Sequence, residues 1–126
     1  MDENLISKEI IGAAIEVHKI LGPGLMESAY QASLAQEFLL RNIKFEKEKP
    51  LPLEYKGIKL DCGYRLDFLV GGLVVVELKA VEKVLPIHHA QLLTYLKLLN
   101  LKLGLILNFN VSVLKDGIKR LANNLY

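Results

Sequence analysis

The stretch Leu73–Ala80, LVVVELKA, decides how the rest of the chain is read. Val74, Val75 and Val76 are β-branched and favour an extended backbone in the middle of a sheet. Yet Glu77 and Lys79 follow in the same run. Residues two apart on a strand project to the same side, so Glu77 and Lys79 share a face with Val75, roughly 7 Å apart at their α-carbons. Val74, Val76 and Leu78 take the other face. With both faces covered, each charge needs a partner, because an isolated buried charge is expensive. Glu77 and Lys79 neutralising each other, with the lysine head reaching out to water, is one solution.

The segment just before it offers another. Tyr64–Val70, YRLDFLV, reads as a second strand, and Gly71-Gly72 between the two signals a hairpin. Asp67 lies in its apolar centre. A two-residue loop would pair Asp67 with Val76 and send Asp67 and Glu77 to opposite faces. An odd-length loop, pairing Val70 with Val74, sets the two carboxylates directly opposite each other. Like charges so placed are destabilising. A divalent cation removes the difficulty, since clustered hard oxygens are what Mg²⁺ selects. Lys79 and Arg65 balancing the pair without metal is the competing solution.

Outward from this hairpin, the 126 residues read as one domain, 1–126, long enough for a core of its own. Half the composition is apolar, which excludes a disordered tail. Ile6, Ile10, Ala13, Ala14, Val17, Ile20 and Leu21 recur at helical spacing until LGPG stops the pattern. A second helix is expected from about Leu25 to Arg41. The proline-broken, lysine-rich 44–55 reads as an edge strand, and YKGIKLD as a turn into a short strand. Pro86 opens a helix to about Asn100. KLGLILNF is a further strand, and LKDGIKRLANNL is expected to close the chain as a helix. Helices before and after a meander of strands give an α/β sandwich with a mixed central sheet.

Cys62 is the only cysteine, so no internal disulfide forms and a cytoplasmic setting is expected. The start MDENLISKEI lacks the pattern of a signal peptide, and no apolar run approaches the ~20 residues of a membrane span. The net charge of +2 permits a nucleic-acid partner without arguing for one.

Three further groups carry chemistry. Glu27 precedes Tyr30 by three and Leu34 by seven, which places it on the apolar face of the second helix. It is also in the first turn, where compensating the helix dipole is an acid's plainer role. Gln91 and Tyr95 project together from the third helix, with His88 a turn earlier; satisfying buried polar groups is their plainer role. His18 is expected to pack beside Glu27. His18, His88, His89 and Cys62 fit no zinc-site spacing.

The order Glu27 on a helix, Asp67, Glu77-x-Lys79, then Gln91-x-x-x-Tyr95 resembles the PD-(D/E)xK nuclease superfamily, particularly its RecB-like branch. EVHKILGPGLMESAY is similar to the opening of the small bacterial and archaeal GxxExxxY family. Two residues, not the label's three, separate Glu27 from Tyr30, and no proline precedes Asp67 in RLDFLV. The resemblance covers about Ile6 to Phe109. It implies a restriction-endonuclease-like fold and a metal-dependent phosphodiesterase acting on DNA, less so on RNA. It further implies that Asp67, Glu77 and the Leu78 carbonyl ligate Mg²⁺ or Mn²⁺, with Glu27 a third carboxylate ligand. Lys79 would act on the attacking water or on developing charge, and Gln91 and Tyr95 would line the phosphate path with Tyr30 and His18 behind. The alternative is a nuclease-fold protein that binds nucleic acid or a protein partner without cutting; the sequence also allows a homodimer.

Overall fold

The structure, a computed structural model, describes residues 2–124. In chain order the elements are α1 (Glu3–Leu21), α2 (Glu27–Leu40), β1 (Phe45–Pro50), β2 (Leu53–Tyr55), β3 (Ile58–Leu60), β4 (Arg65–Val70) and β5 (Val74–Lys79). They continue with α3 (Pro86–Leu99), β6 (Leu103–Asn108), a single 3-10 turn (Leu114–Gly117) and β7 (Ile118–Ala122). Five strands form one mixed sheet in the order β1-β4-β5-β6-β7. Only β5 and β6 run parallel, and α3 supplies the crossover that a parallel pair requires. β2 and β3 form a separate hairpin over a Lys56-Gly57 turn, where both residues take positive φ.

The strand periodicity sorts the core into two layers. Val74, Val76 and Leu78 face α1 and α2, packing with Ile10, Ala14, Leu34 and Phe38. Val75 faces α3 and packs with Leu92, Leu96 and Ile106. Each fully buried aliphatic or aromatic side chain here contributes about 1.5–3 kcal/mol. At the N-terminal end of α1, Asp2 Oδ1 accepts the Leu5 N–H at 2.9 Å and caps the helix. α3 begins at Pro86 and ends where Asn100 turns left-handed. No helix among the described residues is long and apolar enough to cross a membrane.

The end of the chain corrects one expectation. The segment read as a closing helix is the 3-10 turn followed by β7, which pairs antiparallel with β6. Residues three apart share a helix face but lie on opposite faces of a strand. Ile118 packs into the α1/α2 layer and Leu121 into the α3 layer, so only a strand satisfies both. Gly117 makes the change of direction, for a Cβ there would run into the Asn108 carbonyl.

Candidate active site

The hairpin loop has three residues. Val70 pairs with Val74, Leu69 with Val75 and Phe68 with Val76, so the next residues in register are Asp67 and Glu77. At that level the ladder stops. The Asp67 N–H donates to Glu77 Oε2 at 2.8 Å, and the Leu78 N–H donates to Asp67 Oδ2 at 2.7 Å. Carboxylate oxygens replace backbone carbonyls as acceptors, which parts β4 from β5 while keeping the amides satisfied. On the other side of β4 the pairing of Asp67 with Glu48 is also missing, and Glu48 takes a φ of 52°. Leu66 and Leu69 both pack into the α3 layer, so β4 breaks its own alternation at Asp67.

Both carboxylates are held in an unfavourable setting. Burial pushes Glu77 up to about 8, and the neighbouring Asp67 charge adds to the effect, against the Asp67 amide and Lys79. Burial also raises Asp67, opposed by the Leu78 amide and Lys79 and reinforced by Glu48. Glu27 reaches solvent at the start of α2, yet partial burial raises its pKa; Lys79 and His88 oppose the rise and Asp67 adds to it. Lys79 therefore lies within electrostatic reach of three carboxylates. It pairs with none of them within 4 Å, since the ion pairs among the described residues are Glu37–Arg41 and Glu46–Lys49. The Glu77–Lys79 ion pair is absent among the described residues. Three ionised carboxylates against one ammonium would leave two negative charges uncompensated.

That imbalance is what a divalent cation corrects, and the donor atoms suit a hard one. On a strand, a residue's N–H and C=O leave on the same edge. The Leu78 N–H faces Asp67, so its carbonyl also faces the side where β4 has parted. Two carboxylates and a carbonyl thus converge. No three His, Cys, Asp or Glu side chains among the described residues converge tightly enough to hold an ion by themselves, and Glu27 stands outside the pair.

The remaining residues divide between site and scaffold. Tyr30 is wholly buried and stacks on Phe109 at 4.4 Å. Its hydroxyl donates to the Gly22 carbonyl at 2.6 Å and accepts the Leu25 N–H at 3.1 Å, clamping the loop from which Glu27 emerges. His18 is not packed on Glu27: its Nε2 bonds the Val111 carbonyl at 2.8 Å, tying α1 to the segment after β6. Tyr95 is buried on α3, with its pKa raised by burial and then by the Glu77, Tyr64 and Asp67 side chains. Gln91 lines a groove with Tyr95 one turn along.

Two residues, Asn108 and Glu48, escaped the sequence reading, and His88 has a closer role than the turn position assigned to it. Asn108 is a polar side chain inside the apolar run LGLILNF, the same signal that singled out Glu77. Its amide bonds both the N–H and the carbonyl of Val81, at 3.1 and 2.9 Å, and so fixes the exit of β5 just beyond Lys79. His88 accepts the Leu85 N–H on Nδ1 at 3.0 Å, and its influence on Glu27 places it beside the site. Glu48 carried no signal, because only the tertiary ladder sets it against Asp67.

A five-stranded mixed sheet between helical layers, opened at a carboxylate pair beside a lysine, defines a restriction-endonuclease-like α/β protein. A family profile described as the PD-(D/E)XK nuclease superfamily matches residues 4–121, and the chain belongs to that superfamily. No curated protein and no solved structure matches it.

Proposed function

We propose that the protein is a metal-dependent phosphodiester hydrolase that cuts DNA. The observation that supports this most is the opposed Asp67–Glu77 pair, held by reciprocal backbone bonds with Lys79 close by but unpaired. Membership of a nuclease superfamily supports this reaction class. The Gly24-x-x-Glu27 loop and the Gln91/Tyr95 pair favour the RecB-like branch and the GxxExxxY group within it.

Asp67, Glu77 and the Leu78 carbonyl would hold Mg²⁺ or Mn²⁺, with Glu27 joining directly or through water. A cation held there would supply Lewis acidity towards the scissile phosphate and a lowered pKa for a bound water. The chain's own parts do the positioning. The amides of Asp67 and Leu78 lock one oxygen of each carboxylate, so the ligands do not reorganise when substrate arrives. Lys79 places a compact positive charge where charge develops on the phosphate, and the Asn108 clamp limits its backbone movement. Tyr30 keeps the Glu27 helix end in place.

Titration calorimetry with Mn²⁺, alongside cleavage assays on duplex and single-stranded DNA, tests this on wild type and Asp67→Asn. Metal binding and cleavage by the wild type, both lost in Asp67→Asn, are expected. A wild type that binds no Mg²⁺ or Mn²⁺ at millimolar concentration and cuts nothing would leave a non-catalytic nuclease fold.

A further inference from the structure

A groove of about 300 Å³ runs along α3, with Gln91 and Tyr95 in its lining. Its walls are mostly apolar, with Leu51 on one side and Leu98 on the other. Tyr64 and Tyr95 meet across it edge to face, with ring centroids 6.4 Å apart. The two tyrosines differ in exposure: Tyr95 is 6% exposed and forms the floor, whereas Tyr64 is 45% exposed and offers its ring to solvent. Gln91 and Thr94 place a carboxamide and a hydroxyl on the same surface.

Both tyrosines bring the groove near the site. Tyr95 is close enough to Glu77 and Asp67 to feel their charges. Tyr64 lies three residues before Asp67, and its carbonyl accepts the Leu51 N–H at 2.9 Å, which anchors that wall to β1. A ligand held at the carboxylates can therefore extend towards the groove. An occupant needs a flat apolar face for Tyr64 and the leucines, polar edges for Gln91 and Thr94, and a link to a phosphate. A nucleobase meets all three requirements.

We infer that this groove takes an unpaired nucleobase next to the scissile phosphate, so that the substrate is single-stranded DNA or a DNA end with an unpaired nucleotide. This rests on the nuclease reading above. A base inside a duplex keeps its faces stacked and enters such a groove only by flipping out, a cost that an unpaired base does not carry. Binding by stacking is also the mode that a nearly uncharged protein can use, for it relies less on phosphate contacts than duplex binding does.

The test uses a short single-stranded DNA carrying 2-aminopurine and the same sequence as a blunt duplex, both with Ca²⁺ present to screen the carboxylates. The single strand is expected to bind at least tenfold more tightly than the duplex, with its fluorescence quenched. Tyr64→Ala is expected to weaken that binding about tenfold, and Tyr64→Phe to leave it unchanged, because stacking needs the ring and not the hydroxyl. Equal binding of strand and duplex, or a Tyr64→Ala variant that binds like wild type, would overturn the inference. Mn²⁺-dependent cutting of duplex that is indifferent to Tyr64→Ala would also sink the groove while leaving the nuclease reading intact. Quenched, Tyr64-dependent binding of the single strand without cleavage of any DNA would do the opposite, supporting the groove and refuting the nuclease.

Discussion

Replacing Glu77 by glutamine should make the protein more stable at alkaline pH while abolishing the proposed cleavage. The folded state raises the Glu77 pKa from 4.5 to about 8. The sign follows from linkage: above pH 4.5 the unfolded chain has released this proton while the folded chain still holds it. Stability is therefore greatest below the unfolded value, falls as pH rises towards 8, and levels off beyond. A rise from 4.5 to about 8 corresponds to roughly 5 kcal/mol at most, and about 3 kcal/mol once the site relaxes. For a domain of this size that is a drop in Tm of about 10 °C between pH 5 and pH 8.5. The raised Asp67 and Glu27 carboxyls act in the same direction.

Glu77→Gln keeps an oxygen to accept the Asp67 N–H but carries no charge. Its melting profile should be much flatter over that range, and at pH 8.5 it should melt about 10 °C above wild type. Mg²⁺ should raise the wild-type midpoint at pH 8.5 and leave the variant's unchanged, because the cation takes over the proton's role. Thermal melts from pH 5 to 9, with and without Mg²⁺, decide the matter. A structural ion pair predicts the reverse, since losing one partner of a buried pair costs about 3–5 kcal/mol. A wild-type Tm independent of pH over this range, or a destabilised Glu77→Gln, would refute the reasoning.

Lys79→Ala should retain Mn²⁺ affinity, or tighten it by removing a competing charge, yet lose turnover; calorimetry beside a cleavage assay separates the two. Tyr30→Phe removes the hydroxyl that bridges Gly22 and Leu25, and should cost about 1–3 kcal/mol in urea unfolding. Gly117→Ala sets a Cβ against the Asn108 backbone carbonyl and should cost about 3 kcal/mol or more. Gly104→Ala meets the buried Leu92 side chain, from 2.9 Å at its Cδ atoms to 3.0 Å at Cγ, but no backbone, and the same unfolding assay should show a smaller loss.

How far the sequence carried this picture depended on which forces act locally. α1 and α3 announced themselves because their apolar spacing, Gly22 and Pro86 are local features. β7 did not: Ile118 and Leu121 at a spacing of three fit a helix, and only the unpaired edge of β6 and the two-sided core make the segment a strand. The same limit hid the real partner of His18, the Val111 carbonyl, which lies 93 residues away. Polar residues inside apolar strands were the most informative signal. Applied evenly, that signal reaches Asn108 as well as Asp67 and Glu77, and all three turn their side chains to the backbone of another segment. The bonds of Asp67 and Glu77 satisfy the amides where β4 and β5 part, but neither neutralises the charge that makes them costly. A fold seeking stability alone would close the ladder there with apolar residues, as it does one residue further along at Phe68 and Val76. The opening is thus a feature the sheet maintains against its own packing, and the two carboxylates left in it are what a cation would stabilise.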